Sequence, residues 1–146
     1  MVEFKIAAKL TNADAVLKFV NNELKTNSMI SDSWPYIYMA VEEVFTNIAQ
    51  YAYPPDQAGE VTIFVLSGGE VMIRFEDSGQ PFNPLEKEGP NLDVPLMERE
   101  IGGLGIHLVK NLMDKVEYEY TGGKNVLTIT KSISTPGGGE EYGHAN

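Results

Sequence analysis

Residues 71–82 read VMIRFEDSGQPF, and they alternate as a half-buried strand does. Val71, Ile73 and Phe75 fall on one face, because successive side chains of a strand point to opposite sides of its sheet. The next residue in that register is Asp77, so a carboxylate stands at the end of an apolar face. It needs a hydrogen-bond donor, since burying a carboxylate unpaired is costly.

Two interpretations of Asp77 are open at this point. The exocyclic amine of an adenine base would satisfy the carboxylate, and Gly79 would let a flat ring approach the backbone closely. Asp-Ser-Gly is also a common sequence of Asx turns, which need no ligand. The pattern alone favours neither.

Outward from this strand, the chain predicts two hairpins and an N-terminal strand. The hairpins turn at Ser67-Gly68-Gly69 and at Thr121-Gly122-Gly123. Residues 2–10 alternate between apolar and charged or polar positions, which is typical of a strand with one buried face. The predicted strands are residues 2–10, 61–66, 71–75, 116–120 and 125–131.

Three segments carry apolar residues at helical spacing. The predicted helices run from a cap at Thr11 or Asn12 to about Thr26, from a cap at Ser31-Asp32-Ser33 to just before Pro54-Pro55, and from Leu104 to Asp114. The order is therefore β-α-α-β-β-loop-α-β-β. Strands that come in hairpins with one polar face predict a mostly antiparallel sheet with its helices on one side. The expected fold class is α+β, a two-layer α/β sandwich.

Length and composition limit the classes of protein to which this chain can belong. The 146 residues fit one domain, expected over residues 1–133, followed by a disordered, glycine-rich tail over 134–146. The chain has no cysteine and only two histidines, which excludes thiolate metal sites and makes a histidine-built zinc site implausible. No apolar run is long enough to span a bilayer, and no signal-peptide core is visible at the N-terminus, so the expected compartment is the cytoplasm.

The net charge is −10, and it is unevenly distributed. Residues 42–100 hold 12 acidic residues and three basic ones, whereas the rest of the chain is nearly neutral. An acidic surface argues against nucleic acid and anionic membranes as partners, because both recruit patches of lysine and arginine.

Glu43 and Asn47 form a second group of candidate residues. They lie four positions apart on the second predicted helix and therefore on the same face. An asparagine oxygen is a hard ligand that suits Mg²⁺, and a glutamate can accept a proton. A solvated helix flank would show the same spacing.

The third group is Gly102-Gly103-Leu104-Gly105, which leads into the third predicted helix. Backbone amides can converge at such a helix start, and the helix dipole favours an anion there, so phosphate binding is one interpretation. A flexible hinge or cap is the other.

In order and spacing, the three groups resemble the GHKL (Bergerat-fold) ATPases from about residue 2 to residue 132. Glu43-x-x-x-Asn47 is similar to the N-box of that superfamily. Asp77-Ser-Gly79-Gln-Pro81-Phe82 is similar to its first glycine box, and Gly103-Leu104-Gly105 to its second. The compact length and the Asp-x-Gly-x-Pro-Phe form most resemble the bacterial anti-sigma factor serine kinases.

That resemblance implies ATP and Mg²⁺ as cofactors and assigns the site. Glu43 would be the general base, Asn47 the magnesium ligand and Asp77 the acceptor for the adenine amine. Residues 83–101 would form an ATP lid that carries Arg99 as a further catalytic residue. The other nucleotide contacts would come from Gly79, Pro81, Phe82, Gly102, Gly103, Leu104, Gly105 and Ile106.

The resemblance also implies protein partners: a sigma factor and an anti-sigma antagonist of the STAS type. It allows a homodimer, which proteins of this family often form. The expected activity is that of an ATP-dependent serine/threonine protein kinase whose substrate is the antagonist.

Three positions depart from the family pattern. Related sequences often have a basic residue where this chain has Gln50, and a histidine where it has Tyr51. Close relatives place an arginine just before the second glycine box, where this chain has Ile101, so Arg99 is the candidate substitute. These departures put the rate of phosphotransfer in question more than nucleotide binding.

Three alternatives to a kinase stay open on the sequence. A non-catalytic module could bind nucleotide only to set its affinity for a partner. A detached catalytic domain of a histidine kinase would share the fold, although the chain shows no phospho-acceptor segment. An α/β sandwich with no ligand would show no thermal shift with ATP.

Overall fold

The computed structural model describes residues 1–26, 32–86 and 101–132, with the backbone alone for residues 101–104. The described strands are β1 (Val2–Ala7), β2 (Glu60–Ser67), β3 (Glu70–Asp77), β4 (Lys115–Thr121) and β5 (Lys124–Ser132). The described helices are α1 (Ala13–Thr26), α2 (Trp34–Tyr51) and α3 (Ile101–Leu112), with short 3-10 turns at Leu10–Asn12 and Pro84–Glu86.

The five strands form one antiparallel sheet in the order β1-β2-β3-β5-β4. Buried positions alternate along β2 and β3, so one face of the sheet is covered and the other is open. Apolar side chains of all three helices join the covered face in one core. The predicted α+β sandwich is confirmed. The core centres on Val16, Val20, Leu24, Ile37, Val41, Phe45, Ile63, Ile73, Phe75, Val109 and Ile129.

Helix α2 carries much of the candidate site, and its ends are where the sequence predicts them. Ser33 stands at the N-cap, and its carbonyl accepts bonds from the amides of Tyr36 and Ile37, each at 3.1 Å. Pro35 lies in the first turn, where a missing amide hydrogen breaks no helical bond. The helix ends at Tyr51, before Pro54.

The N-terminal strand is shorter than predicted. Strand β1 ends at Ala7, because the next residues turn back on it: the amide of Lys9 donates to the Ala7 carbonyl at 2.8 Å, and the Asn12 side chain donates to the same oxygen at 2.9 Å. Leu10, expected on the buried face, is 53% exposed. The prediction of a strand to residue 10 was therefore wrong for its last three positions.

The third helix is displaced from its predicted bounds. It begins at Ile101 and not at Leu104, because glycines are tolerated in a first turn, where the amides make no helical bond in any case. It ends at Leu112, since the amide of Asp114 donates instead to the Thr130 carbonyl of β5 at 2.9 Å. The second hairpin turns on two residues, Gly122 and Gly123, whose φ angles of 62° and 77° suit glycine.

The predicted tail over residues 134–146, and residues 87–100 of the predicted lid, lie outside the described residues. Among the helices that are described, none is long and apolar enough to cross a bilayer.

Candidate functional site

A cleft opens where the end of β3 and the start of β5 meet the C-terminal half of α2. Its lining includes Asn47 from α2, Asp77 from β3 and Asn125 from β5, with Phe82 and Tyr118 at its sides. Two of the three predicted groups, the helix asparagine and the strand-end carboxylate, therefore meet in one cleft. The sheet register explains this, because Asp77 pairs with Asn125 at the edge where the core faces of both strands end.

Asp77 is 5% exposed, as the alternation along β3 predicts. Its Oδ1 accepts two hydrogen bonds, from the Gly79 amide at 2.8 Å and from Asn125 Nδ2 at 2.9 Å. The bond to the amide two residues on is the Asx turn that the sequence offered as one alternative. Among the described residues both bonds go to Oδ1, which leaves Oδ2 as the oxygen available to a ligand.

Asn125 organises this end of the cleft. Its Nδ2 also donates to the Gln80 carbonyl at 2.9 Å, and its Oδ1 accepts from the Phe82 amide at 3.1 Å and from the Tyr118 hydroxyl. One buried side chain thus joins the Asp77 carboxylate to the segment that follows it. An amide side chain has two donor hydrogens and two acceptor lone pairs, so these bonds use its full capacity.

The pKa of Asp77 is raised above its ordinary value of 3.8. Burial is the largest cause, because removing water disfavours the charged form. The hydrogen bonds from Asn125 and Gly79 act in the opposite direction, since both favour the carboxylate. Asp77 is therefore a carboxyl group whose charge depends on the donors around it.

Gly79 is required for a reason that the sequence does not reveal. A methyl group at this position would overlap the backbone of Ala52, with the added carbon 2.6 Å from the Ala52 carbonyl carbon. The next amide, that of Gln80, donates to the Ala52 carbonyl at 3.0 Å. Close contact between the residue that follows α2 and the segment that follows β3 accounts for Gly79. The close approach of an adenine ring to Gly79 stays a prediction.

The cleft beneath Asp77 is narrow in this structure. The space within it that the centre of a water molecule can reach is about 30 Å³, against the roughly 10–15 Å³ on this measure that one water molecule needs. A purine base is several times larger, so binding one requires the walls to separate. Phe82 and Tyr118 are only half-buried, and both belong to the wall.

Glu43 lies one helical turn before Asn47 on α2, outside the Asp77 cleft and facing α3. Burial raises the pKa of its carboxyl above the ordinary value of 4.5, and the neighbouring Glu42 raises it further. Among the side chains that the structure describes, no hydrogen bond or ion pair holds it. A half-buried carboxylate with a raised pKa and no fixed partner is suited to accept a proton.

The glycine group lies within α3, whose first residue is Ile101. Gly102 and Gly103 therefore belong to the first turn, where amides lack helical partners, as anion binding requires. Gly105 lies in the second turn. Ile106 is 3% exposed and packs in the core, so the structure gives it a packing role. The side chain of Leu104 and all of Arg99 lie outside the described residues.

The other predicted positions vary in their surroundings. Pro81 is exposed, whereas Phe82 lines the cleft and its ring centre lies 6.1 Å from that of Tyr51. Tyr51 replaces the expected histidine with an aromatic packing partner. Gln50, in place of the expected basic residue, is exposed on α2.

Sequence reasoning missed Asn125 and Tyr118, although a signal for the first was present. Asn125, Leu127 and Ile129 alternate on the core face of β5, as Phe75 and Asp77 do on β3. A polar residue at the end of an apolar alternation is the same signal in both strands. Tyr118 carries a weaker signal: the predicted hairpin pairs β4 with β5 and brings Tyr118 within reach of Asn125, but nothing in the sequence shows that its hydroxyl donates to that side chain.

Comparison with known proteins assigns the family. Residues 6–131 match the family described as the histidine kinase-like ATPase domain. The serine-protein kinase RsbW of Bacillus mycoides is 31% identical over 137 residues, which cover 90% of this chain and 84% of that protein. An RsbW of Bacillus cereus is 32% identical with the same coverage.

Solved structures agree on the fold. The RsbU and RsbW domains of a Mycobacterium tuberculosis protein give a TM-score of 0.61 at 17% identity, over 93% of this chain and 34% of that one. The mycobacterial sensor histidine kinase MprB gives a TM-score of 0.51 at 18% identity, over 92% of this chain and 99% of that one. At these identities the likeness shows the fold alone. With the family match and the RsbW relatives, the chain belongs to the histidine kinase-like ATPases, among the GHKL anti-sigma kinases that its motifs predicted.

Proposed function

We propose that this protein is an ATP-dependent serine/threonine protein kinase that phosphorylates an anti-sigma antagonist and binds a sigma factor. The observation that carries the proposal is the arrangement along α2: Asn47 shares a cleft with Asp77, and Glu43 stands one turn away. The relatives named serine-protein kinase RsbW support the same activity.

Asp77 recognises the base in this proposal. Its Oδ2 accepts a hydrogen bond from the adenine amine, while Asn125 and the Gly79 amide hold Oδ1. A carboxylate that is already oriented loses little freedom when the ligand arrives. The half-buried rings of Phe82 and Tyr118 separate to admit the base.

Magnesium fits the residues present, with Asn47 as its ligand. In the described parts of the chain, no three or more carboxylates or histidines cluster as a self-sufficient metal site. Mg²⁺ prefers oxygen ligands and usually keeps several waters beside the substrate phosphates, so the Asn47 side-chain oxygen would be its ligand from this chain. Bound there, the ion would supply positive charge that offsets the triphosphate, which the acidic surroundings alone would repel.

Glu43 supplies the base for phosphoryl transfer. The serine hydroxyl oxygen of the substrate bonds to the γ-phosphorus, the bond from that phosphorus to the bridging oxygen breaks, and ADP leaves with the electron pair. The hydroxyl proton passes to the Glu43 carboxylate. Such transfers depend on positioning and charge stabilisation, which a small domain can provide.

The protein partners follow from the same family. The antagonist is a STAS-type protein whose serine receives the phosphate, and control of the sigma factor makes the protein a regulator of transcription. A homodimer and a cytoplasmic location accord with both roles. In this proposal residues 1–133 form the ATP-binding domain, and Arg99 is a further catalytic residue.

A nucleotide-gated binding module is the second candidate. One observation favours it: among the described residues that line the Asp77 cleft, none is a lysine or an arginine. Gln50, where related sequences often have a basic residue, is exposed on α2 and adds no positive charge. This candidate predicts ATP binding without any transferred phosphate.

Transfer of labelled phosphate from ATP to recombinant STAS-type antagonists separates the two candidates. Glu43→Ala should reduce the transfer rate by about 10²-fold or more, the usual contribution of a general base, and should retain ATP binding. Glu117→Ala is the matched control, since Glu117 is an exposed glutamate on β4, outside the proposed site. Full activity in Glu43→Ala would remove Glu43 from the mechanism, and an inactive wild-type protein that binds ATP would favour the binding module.

A further inference from the structure

Gly105 of α3 lies directly against the carboxylate of Glu43. A methyl group built on Gly105 would overlap Glu43 Oε1 and come within 3.1 Å of its Cδ. Helices α2 and α3 pack against each other, and both residues are half-buried at their contact. The absence of a side chain at Gly105 is what leaves room for the Glu43 carboxylate.

Phosphate binding does not explain this glycine. Gly105 is the fifth residue of α3, and in an α-helix the amide of the fifth residue bonds to the carbonyl of the first. The free amides that suit an anion belong to the first turn, which includes Gly102 and Gly103. Gly105 therefore needs a separate explanation, and the Glu43 contact provides one.

We propose that Gly105 is a positioning residue for Glu43: its bare Cα leaves the space in which the carboxylate stands ready to accept the substrate proton. This inference rests on the proposed kinase function. Among the described side chains, no hydrogen bond or ion pair holds the Glu43 carboxylate, so the surface of α3 sets where it can lie. A side chain at position 105 would move the base and leave the nucleotide contacts of Asp77 and Asn47 in place.

The contact makes Gly105→Ala an informative variant. The overlapping group is the far end of a flexible side chain, which can rotate away without a shift of the backbone. Alanine also favours a helix over glycine, so the variant should fold with an unchanged or higher melting temperature. A lower rate of transfer would then reflect the displaced carboxylate and not a damaged fold.

The test combines this variant with Glu43→Ala in a double-mutant cycle. Transfer of labelled phosphate to a recombinant STAS-type antagonist and equilibrium binding of ATP with Mg²⁺ are both measured. We expect Gly105→Ala to reduce kcat by about 10²-fold, comparable to loss of a general base, with ATP affinity retained. Added to Glu43→Ala it should have no further effect, because it acts only through that side chain. Gly68→Ala is the matched control, since a methyl group there meets nothing within 4 Å.

Three outcomes would overturn the inference. Gly105→Ala could transfer phosphate at the wild-type rate, it could lose ATP affinity in parallel with kcat, or its effect could add fully to that of Glu43→Ala. Failure of the wild-type protein to transfer phosphate would instead overturn the proposed function, and the inference with it. The wild-type reaction therefore separates the two failures.

Discussion

At the β3–β5 end of the site, Asp77 is 5% exposed and two donors hold one of its oxygens. At the α2–α3 end, Glu43 is half-buried and lies against a glycine, with no hydrogen bond among the described side chains. Burial raises the pKa of both carboxyl groups, yet only the first is fixed by hydrogen bonds.

The difference matches the two tasks that we assign. A group that recognises a base gains affinity when it is oriented before the ligand arrives. A group that takes a proton must be placed correctly and must also change its charge during the reaction. Hydrogen bonds provide the orientation at Asp77, and the space left by Gly105 provides the placement at Glu43.

Removal of magnesium should lower the affinity for ATP, and this is the largest effect that we expect. It should act through the triphosphate of ATP. Residues 42–100 are strongly acidic, so a bare triphosphate meets repulsion there. One favourable charge pair at about 4 Å is worth about 4 kcal/mol at an effective dielectric constant of about 20, or about 10³-fold in affinity. Titration calorimetry with ATP, in EDTA and in Mg²⁺, measures the difference. Equal affinities would show that Asn47 holds no ion that matters for binding.

Gly79→Ala should destabilise the fold, in contrast to Gly105→Ala. The added methyl group at position 79 meets the Ala52 backbone, which cannot rotate away as the Glu43 side chain can. Overpacking of this kind costs about 1–3 kcal/mol of unfolding free energy. Urea unfolding of both variants tests the contrast. A Gly79→Ala variant as stable as the wild type would show that the contact with α2 relaxes easily.

Gly79 and Gly105 show which features local sequence patterns predict and which they do not. Alternation alone placed Asp77 at the end of a buried face, and helical spacing placed Glu43 and Asn47 together, because both patterns are local. The contacts of Gly79 with Ala52 and of Gly105 with Glu43 join elements that are distant in the chain, so no local pattern could predict them. The predicted start of α3 at Leu104 was wrong for a related reason: glycine propensity gives no reliable boundary in a first turn.

Asn125→Ala should disrupt the hydrogen bonds around Asp77 at the β3–β5 end of the site and leave Glu43 at the α2–α3 end unchanged. It removes the donor to Asp77 and leaves the Phe82 amide and the Tyr118 hydroxyl without their acceptor. Each hydrogen bond that these half-buried groups lose costs about 0.5–1.5 kcal/mol, and ATP affinity should fall while the rate at saturating ATP changes less. Tyr118→Phe is the graded control, with an expected loss of about 1 kcal/mol for one neutral bond. Equal effects of both variants on ATP affinity would argue against Asn125 as the organising residue.

The smallest effect that we expect is on the way the free energy of unfolding changes with pH. The folded pKa of Asp77 is above its ordinary 3.8, so its protonated form is favoured by folding. Its contribution to stability is fully present below pH 3.8 and is lost as the pH rises through the raised folded pKa. The Asp77→Asn variant should lack this component when unfolding free energies are compared across the acidic range. A wild-type curve parallel to that of the variant would contradict the raised pKa.

The division of work between the two carboxylates is tested most directly by titrating ATP with Mg²⁺ into Asp77→Asn and Glu43→Gln side by side. Both variants remove a charge and keep the shape of the side chain. We predict that Asp77→Asn loses most of the ATP affinity, because a donor amide cannot replace the acceptor oxygen, and that Glu43→Gln binds as the wild type does. Wild-type affinity in Asp77→Asn, or an equal loss in both, would contradict the account.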